Sequence, residues 1–353
     1  MPQSPASSAC VLVFGAAGHT ARFIVAALRR HGLHVLLGGR DAARLRDAYP
    51  DAAPGDIRVA DLADAAALAR ALRGASLLVN CAGPFADTTA PLLAAAVAAG
   101  AHYVDITAEQ AMALEVFERW DAPARGAGIV ALPAMGFYGG LGDLLATAAM
   151  GDWDAADEVA LFAALDSWHP TEGTRKTGER NVRRMVFADG RLQPPPATPP
   201  STRWRFAAGA FGEQPMVGIN LADAVTISRH LRVRDVRTWI NEAPMRDLHD
   251  PATPAPQAVD ASGRSAQRFA LEAVVRRGGQ ERRARAGGQD IYAMTAPLVA
   301  EACARLLRGT HAGGAFAAGQ LFDARDFLQA LSPQPLEVHL GPDPDSAETL
   351  IPS

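Results

Sequence analysis

A glycine-rich turn close to the N-terminus constrains the fold of this chain more than any other stretch. The apolar run Val11 to Phe14 has the length and composition of a buried strand, and the letters GAAGHTA follow it directly. An amphipathic segment, Thr20 to Arg30, and a second apolar run, Leu33 to Leu37, come next. This order predicts a strand, a tight turn, a helix and a second strand.

In that context the glycines of the turn have a physical task. Gly15 makes the tight turn, Gly18 lets a pyrophosphate approach the backbone, and Ala21 lets the helix pack closely on the strand. The N–H groups and the positive dipole end of the helix then bind phosphates. The pattern therefore predicts a dinucleotide site, and a glycine turn without a ligand is the weaker alternative.

The end of the second strand indicates which dinucleotide binds. An NAD site usually has Asp or Glu about 20 residues past the glycines, where it binds the ribose 2′-hydroxyl. Here the strand ends in Gly38, Gly39 and Arg40, and the first acid is Asp41. The Arg40 guanidinium suits a 2′-phosphate, so we expect NADP(H) rather than NAD(H). An ordinary solvated arginine is the alternative.

Composition limits the other possibilities. With 353 residues, 49% of them hydrophobic, the chain can bury a large core and form two domains. A net charge of −4 does not favour a nucleic acid partner, and three scattered cysteines predict neither a disulfide framework nor a metal site. The longest apolar run, Ala90 to Ala101, is too short to span a bilayer. No basic leader precedes the first strand, so we expect a soluble, cytoplasmic protein without a membrane partner.

Strand-like and helix-like segments alternate as far as Leu132, which predicts a Rossmann-type, doubly wound parallel α/β sheet. Among them are a helix over Thr88 to Ala99 and a strand over His102 to Asp105. Ligands of such sheets bind beyond the carboxyl ends of the strands. The residues predicted at those ends are Gly15, Arg40, Asp61, Asn80 to Pro84, Asp105 and Pro133 to Gly136.

The pattern changes from Asp157 onwards, where strands appear without regular helical crossovers. Arg276 to Gln280 is typical of a hairpin turn. We expect a Rossmann domain over residues 8–145 and a second, α+β mixed-sheet domain for the substrate over residues 146–317. Helices in the segment 318–353 are expected to pack back on the first domain.

Five blocks within about the first 145 residues resemble the saccharopine dehydrogenase-like (saccharopine reductase-like) NADP-binding family, which includes trans-acting enoyl reductases. They occur in the family's order and are GAAGHTA, LGGRDAARL, LLVNCAGPF, AAGAHYVDITAE and LPAMGFYGGLGD. The later segments EGTRKT, SRHLRV and GGQDIYAMTAPLVAEA resemble a bacterial subgroup. The chain departs from the family pattern at Ala16, Ala17 and Ala21, where relatives often have Thr and Gly, and at Ala108, where they often have Gly.

The resemblance implies an NADP(H)-linked oxidoreductase. The family's reactions are hydride transfers to or from imines formed between amines or amino acids and carbonyl compounds, and its enoyl reductases act on C=C bonds. The resemblance also implies a set of cofactor contacts along the strand ends. They are the pyrophosphate at Gly15, Ala17, Gly18, His19 and Thr20, the 2′-phosphate at Gly39 and Arg40, the adenine near Asp61, and the nicotinamide ribose near Asn80, Cys81, Ala82, Gly83 and Pro84.

Three residues are candidates for catalysis beyond hydride transfer, which the cofactor performs. The Tyr-x-x-x-Lys pair of short-chain dehydrogenases is absent, because Lys176 is the only lysine and no tyrosine precedes it at that spacing. Asp105 follows a strand and is expected to bind an ammonium group or relay a proton, with a bond to the N–H groups of the next turn as the alternative. Tyr138 and His169 are the other candidate proton donors.

Three further polar residues are candidates for binding the substrate. Trp168 to Asn181 is polar and interrupted by glycine, so we expect an entrance loop in which Arg175 and Lys176 bind a carboxylate or a phosphate. A plain solvated surface is the alternative for this loop. Glu109 is the third candidate, with a role at the helix dipole as its alternative.

The sequence therefore predicts a two-domain NADP(H)-dependent reductase that acts on an imine or an activated double bond of a small metabolite. Two other classes stay open: a catalytically idle NADP(H)-binding sensor or partner protein, and an epimerase or isomerase that retains NADP. An exposed sheet edge in the second domain favours a homodimer.

Overall fold

The computed structural model describes residues 9–180, 184–207 and 211–341. This part of the chain divides into two compact units, each with its own sheet. The first unit contains the described residues up to Gly136 together with Thr295–Phe316. The second contains Phe137–Met294 and the described residues from Ala317 onwards. Each unit is therefore built from two separate stretches of the chain.

The described chain contains strands and α-helices with the following limits. The strands are β1 (Cys10–Phe14), β2 (His34–Gly39), β3 (Ile57–Val59), β4 (Leu77–Asn80), β5 (His102–Asp105), β6 (Val130–Leu132), β7 (Ala156–Leu165), β8 (Val186–Ala188), β9 (Arg191–Gln193), β10 (Ser201–Arg205), β11 (Glu213–Ile219), β12 (Val233–Asn241), β13 (Arg268–Arg277), β14 (Gln280–Gln289), β15 (Gly314–Ala315) and β16 (Glu337–Leu340). The α-helices are α1 (His19–Arg30), α2 (Ala42–Ala48), α3 (Ala65–Ala71), α4 (Phe85–Ala99), α5 (Gln110–Glu115), α6 (Asp121–Gly126), α7 (Gly142–Met150), α8 (Glu172–Arg180), α9 (Asp223–Ser228), α10 (Glu242–His249), α11 (Ile291–Arg308), α12 (Ala318–Leu321) and α13 (Ala324–Ala330).

The first unit is a parallel sheet with the strand order β15-β6-β5-β4-β1-β2-β3. Apart from the short edge strand β15, this is the order of a doubly wound Rossmann fold. The residues of β1 and β4 are buried almost throughout, because helices cover both faces of such a sheet. The strand order reverses between β1 and β4, and such a switch point is where sheets of this type bind ligands. The predicted fold class is confirmed for this unit.

Local sequence signals set the helix limits of the first unit. Asp41 and Asp64 cap α2 and α3, accepting hydrogen bonds from the backbone N–H groups of Ala43 and Ala67, each at 2.9 Å. Helix α4 ends at Gly100, whose φ of 66° lies in the left-handed region. These caps hold the loops at both ends of the strands in defined conformations.

The second unit is a mixed sheet with the order β10-β11-β12-β7-β13-β14-β16, and the β8–β9 hairpin lies beside β12. Its long strand β7 is parallel to β12 and antiparallel to β13. At the β13–β14 turn, Gly278 and Gly279 have φ of 54° and 82°, as the predicted hairpin requires. Phe162 stacks on Trp204 with 3.8 Å between the ring centroids, within an apolar cluster of this sheet. The predicted mixed-sheet second domain is confirmed as a fold.

The segment expected as an entrance loop contains a helix. Of Trp168 to Asn181, the residues Glu172–Arg180 form α8, and Asn181 lies outside the described residues. The polarity of this stretch is that of a helix with an exposed surface, which needs few apolar positions. Polarity alone therefore did not distinguish a loop from a surface helix.

The C-terminal segment belongs to the second unit, whereas the sequence analysis expected it on the first domain. Strand β16 pairs with β14, and the N–H of Gly319 donates to the Oδ2 of Asp143 at 2.7 Å. Residues 342–353 of that prediction lie outside the described part of the chain. The predicted limit between residues 145 and 146 falls inside α7, which lies wholly in the second unit. The alternation of strands and helices in the sequence does not indicate which sheet the C-terminal segment joins, because that depends on the pairing of strands far apart in the chain.

Candidate functional site

The glycine turn of the first unit is a close backbone crossing. Gly15 has a φ of 82°, and its N–H donates to the carbonyl of Gly38 at 2.9 Å. A side chain at this position would place its Cβ 2.8–2.9 Å from the backbone and Cβ of Ala82. Both the conformation and the contact require glycine. The loop after β1 therefore lies directly against the loop after β4.

The start of α1 is arranged to attract an anion. Gly18, which is exposed, occupies the capping position without a side-chain hydrogen bond, and no acidic residue lies in the first turn of this 12-residue helix. The backbone N–H groups of a helix start and its dipole favour negative charge there. Ala17, His19 and Thr20 are half-buried around this start. A residue that the sequence analysis missed, Tyr49, fixes the loop by donating its hydroxyl to the carbonyl of Ala16 at 2.8 Å.

The two charged residues after β2, Arg40 and Asp41, have different surroundings. Arg40 is exposed directly after Gly39. Asp41 caps α2, and its Oδ1 accepts from the N–H groups of Ala43 and Arg44 at 2.9 and 3.1 Å. The first acid beyond the strand is thus used by a helix, and the arginine is the charged group displayed at the strand end. Asp61 lies after the neighbouring β3, exposed, with its Oδ1 accepting from Ala63 N–H at 2.9 Å.

The loop after β4 is held by Asn80, which is fully buried. Its side-chain amide donates to the hydroxyls of Thr88 and Tyr103, both at 3.1 Å, and its Oδ1 accepts from the N–H of Ala82 at 3.0 Å. The N–H of Cys81 donates to the carbonyl of Phe14 at 2.8 Å. These bonds leave Gly83 exposed and Pro84 half-buried beyond the strand end. Burial raises the pKa of the Cys81 thiol, so it stays a neutral thiol.

Asp105, at the end of β5, is a fully buried centre of hydrogen bonds. Its Oδ1 accepts from the N–H groups of Thr107 and Ala134 at 3.0 and 2.8 Å, and its Oδ2 accepts from the Tyr103 hydroxyl at 3.0 Å. Burial raises the pKa of the Asp105 carboxyl to about 6, although these hydrogen bonds oppose the shift. Both oxygens are engaged, so in this structure the carboxylate joins the ends of neighbouring strands.

Glu109 is buried and caps a helix other than its own. Its two carboxylate oxygens accept from the N–H groups of Phe85 and Ala86, at 2.8 and 3.2 Å, at the start of α4. Its own N–H donates to the Thr107 hydroxyl at 3.0 Å. The dipole role predicted as the alternative for Glu109 is therefore present, but at the helix that follows β4.

In the second unit, Tyr138 is buried in an aromatic cluster. Its ring stacks on Trp168 with 5.7 Å between centroids and packs edge-on against Phe137 at 4.9 Å. Trp168 in turn donates its indole N–H to the Tyr292 hydroxyl at 3.0 Å. Among the described residues, the Tyr138 hydroxyl has no hydrogen-bond partner although it is buried. Burial raises the pKa of the Tyr138 hydroxyl, and the negative charge of Asp223 adds to this shift.

The other residues predicted in the second domain are placed differently. His169 is half-buried next to Trp168. Arg175 donates to the carbonyls of Asp250 and Thr253 at 3.2 and 2.7 Å, so it ties α8 to that loop. Lys176 pairs with Glu172 one turn earlier on an exposed surface. Both cations thus have protein partners, and those of Arg175 lie far away along the chain.

The predicted cofactor residues lie together in the first unit, whereas four other candidate residues belong to the second unit. The residues predicted to contact the cofactor all lie at the carboxyl ends of strands in the first unit, around the β1–β4 switch point. Tyr138, His169, Arg175 and Lys176 belong to the second unit. No group of three or more histidines, cysteines, aspartates or glutamates in the described residues could hold a metal ion. None of the helices in that part of the chain is long and apolar enough to cross a membrane.

Comparison with known proteins agrees with this site. Residues 11–132 match the family described as the saccharopine dehydrogenase NADP binding domain. The stretch extends from β1 to β6, so it contains the glycine turn and the strand ends just described. This stretch is therefore similar to that domain family, as the resemblance of the sequence blocks implied, and the match supports NADP(H) as the cofactor.

Several solved structures share the fold at low identity. Apo saccharopine dehydrogenase (L-Glu forming) from Saccharomyces cerevisiae has a TM-score of 0.62 at 12% identity, covering 92% of this chain and 97% of that chain. An engineered D-amino acid dehydrogenase bound to NADP+ has a TM-score of 0.50 at 15% identity, covering 93% and 97%. An amine dehydrogenase from Mycobacterium smegmatis has a TM-score of 0.50 at 12% identity, covering 90% and 96%. At such identities the likeness is one of fold.

A curated relative matches a part of the chain. A lipid droplet localized protein from Caenorhabditis elegans is 29% identical over 139 residues, which are 36% of this chain and 33% of that protein. The match thus spans about a third of the relative's length. It concerns a shared segment and not a whole protein.

Two buried tyrosines provide a matched test of the polar clusters. Tyr103→Phe removes a hydroxyl that donates to Asp105 and accepts from Asn80, so we expect a loss of about 1–3 kcal/mol in the free energy of unfolding. Tyr138→Phe removes a buried hydroxyl without a partner among the described residues, so we expect no loss. Chemical denaturation of both variants measures the difference. Equal destabilisation would contradict these assignments.

The raised pKa of Asp105 predicts a pH dependence of stability. Between the ordinary value of 3.8 and about 6, the folded state keeps a proton that the unfolded state has lost. The free energy of unfolding therefore falls as pH rises through this window, by about 1.4 kcal/mol per pH unit for this group. Denaturation of the wild type and of Asp105→Asn is compared from pH 4 to pH 7. Over this range the free energy of unfolding of the wild type should fall by about 3 kcal/mol relative to that of the variant. A constant difference would contradict the assignment.

Proposed function

We propose that this protein is an NADP(H)-dependent oxidoreductase that transfers a hydride to the C=N bond of an imine, or to an activated C=C bond, of a small metabolite. The observation that carries the proposal is the nucleotide cradle of the first unit. Gly15 lies against Ala82 at the strand switch point, and the acid-free start of α1 follows it. This geometry belongs to a stretch that matches an NADP-binding family.

The residues present fit the cofactor. Gly18 adds no side chain where a pyrophosphate approaches the start of α1, and His19 and Thr20 border that start. Asn80 orients the loop of Cys81, Ala82, Gly83 and Pro84 beyond β4. NADPH, when bound, supplies the hydride. The task of the chain is then to fix the nucleotide along these strand ends and to orient the substrate.

The choice of NADP(H) over NAD(H) rests on the end of β2. An acid that binds a ribose 2′-hydroxyl must have its carboxylate available, whereas Asp41 is used to cap α2. Arg40 is exposed at the same strand end and can form charge-assisted hydrogen bonds with a 2′-phosphate. The two observations together favour the phosphorylated cofactor.

The structures of similar fold guide the substrate class. Two of them are, by name, an amine dehydrogenase and a D-amino acid dehydrogenase, and these names support a C=N substrate in this proposal. Asp105 is a positioning residue in this proposal, because both of its oxygens are engaged by the protein. A homodimer and a cytoplasmic location stay predictions of the sequence.

The cofactor assignment is tested by titrating the protein with NADPH and with NADH while nicotinamide fluorescence is followed. We expect NADPH to bind more tightly, and Arg40→Ala to weaken NADPH by about 10- to 100-fold because a charge-assisted bond to phosphate is lost. NADH binding should change little.

Arg30→Ala is the matched control for this titration. Arg30 is exposed at the other end of α1, roughly 17 Å from the glycine turn along the helix, and should not affect either nucleotide. If neither nucleotide binds, the proposed function is wrong. If both bind equally and Arg40→Ala has no effect, the preference for NADP(H) is wrong. With binding established, oxidation of NADPH by imines, but not in their absence, tests the enzyme against the sensor.

A further inference from the structure

Glu109 joins the loop after β5 to the start of α4. The residue is 4% exposed, and its two carboxylate oxygens accept from the N–H groups of Phe85 and Ala86 at 2.8 and 3.2 Å. Pro84, at the capping position of α4, supplies no side-chain hydrogen bond to this helix. The first N–H groups of a helix have no acceptor within the helix itself. The start of α4 therefore depends on a carboxylate that comes from the end of another strand.

The first turn of α4 in turn holds the loop of residues 81–84. The Thr88 hydroxyl lies in this turn and donates to the carbonyl of Ala82 at 2.7 Å. The same hydroxyl accepts from the side-chain amide of Asn80 at 3.1 Å. Pro84 precedes the helix directly, so the loop is also joined to α4 by the chain itself. A change at the start of α4 thus reaches the loop through the Thr88 hydroxyl and through the backbone.

The glycine turn before α1 is held by other bonds. The N–H groups of Gly15 and Ala16 donate to the carbonyl of Gly38 at 2.9 and 3.1 Å, and the Tyr49 hydroxyl donates to the carbonyl of Ala16 at 2.8 Å. These bonds connect the turn to β2 and to the end of α2, and they do not involve α4. The turn proposed for the pyrophosphate and the loop proposed for the nicotinamide ribose are therefore fixed by different parts of the first unit.

We propose that Glu109 is a positioning residue for the nicotinamide half of the bound cofactor, on which it acts through the start of α4 and the loop of residues 81–84. The inference rests on the proposed function, in which this loop borders the nicotinamide ribose. It gives Glu109 a role different from the substrate contact expected from the sequence. Both carboxylate oxygens are bonded to backbone N–H groups, so the residue acts by fixing the helix start.

The adenosine half of the cofactor should not depend on Glu109. Arg40 and Asp61, the residues proposed for the 2′-phosphate and the adenine, follow β2 and β3. These strands lie on one side of β1 in the sheet, whereas β4 and β5 lie on the other. A ligand that has the adenosine phosphates but no nicotinamide riboside should thus bind equally well whether or not the Glu109 carboxylate is present.

The proposal is tested by calorimetric titration of the full chain with NADPH and with adenosine 2′,5′-bisphosphate, which lacks the nicotinamide riboside. We expect Glu109→Ala to weaken NADPH binding by about tenfold or more, since two hydrogen bonds to a charged acceptor are lost at the start of α4. Binding of the bisphosphate should stay within about twofold of the wild type. A general loss of structure would weaken both ligands, so the difference between them reports on positioning.

Two further variants follow the same route through the structure. Glu109→Gln keeps one acceptor oxygen, so the loss for NADPH should be smaller, about threefold. Thr88→Val removes the hydroxyl that holds Ala82 and should cause the same selective loss as Glu109→Ala. If both residues act through the loop, the loss in the double variant should be smaller than the product of the two single losses.

Asp121→Asn is the matched control. Asp121 belongs to the same unit and begins α6, at the far end of the helical crossover that starts with α5. Its Oδ1 also accepts from a backbone N–H, that of Ala315, at 2.9 Å. Loss of this bond should change neither affinity. Thermal unfolding confirms that each variant is folded, and Glu109→Gln carries the test should Glu109→Ala fail to fold.

The proposal is overturned if NADPH binds the folded Glu109 and Thr88 variants as tightly as the wild type, or if these variants lose affinity for both ligands equally. The wild-type titrations distinguish this failure from that of the proposed function. A wild type that binds both ligands, with variants that show no selective loss, removes the role of Glu109 and leaves the cofactor assignment. A wild type that binds neither ligand removes the proposed function and this inference with it.

Discussion

The contact between Gly15 and Ala82 is the constraint on which the nucleotide site depends. Two loops that follow neighbouring parallel strands approach so closely that a Cβ at residue 15 has no room. This approach is possible because β1 and β4 are adjacent at the switch point of the sheet, with helices leaving in opposite directions. The start of α1 is thereby placed beside the loop after β4, and a dinucleotide can lie along both.

Buried polar side chains extend this arrangement to the following strands. Asn80 links the β4 loop to Tyr103, Tyr103 links to Asp105, and Asp105 holds the N–H of Ala134 beyond β6. Every donor and acceptor in this series has a partner, so the network makes the strand ends rigid at little cost in free energy. The second unit differs, because the Tyr138 hydroxyl and the Oδ2 of Asp223 are buried without a hydrogen-bond partner among the described residues.

The sequence predicted the parts of the molecule that local patterns determine. Strand β5 has the predicted limits, and the glycine turn, the hairpin at Gly278 and the exposed Arg40 lie where the sequence pattern placed them. Helix α4 begins at Phe85, three residues before the predicted start at Thr88, because Glu109 caps it from a distant part of the chain. Such a cap cannot be read from the local sequence.

The second unit was harder to predict for the same reason. Its pairs join residues far apart in the chain, such as Gly139 with Asp223 and Trp168 with Tyr292. The role of Asp223 becomes visible only when the turn at Gly139 folds around it, since a lone aspartate has no sequence signal. Arg175 was predicted to bind the substrate because it lies in a polar segment interrupted by glycines. Its partners, the carbonyls of Asp250 and Thr253, are distant in the chain and could not be predicted from the sequence.

The most direct measurement of the central claim is the ³¹P NMR spectrum of NADPH bound to the protein. If the phosphates lie at the start of α1 and at Arg40, the pyrophosphate and 2′-phosphate resonances should both shift on binding. The pKa of the 2′-phosphate should also fall, because a guanidinium favours the dianion. Arg40→Ala should restore the free 2′-phosphate behaviour and leave the pyrophosphate shifts in place. A bound 2′-phosphate that titrates like the free nucleotide in the wild type would contradict the account.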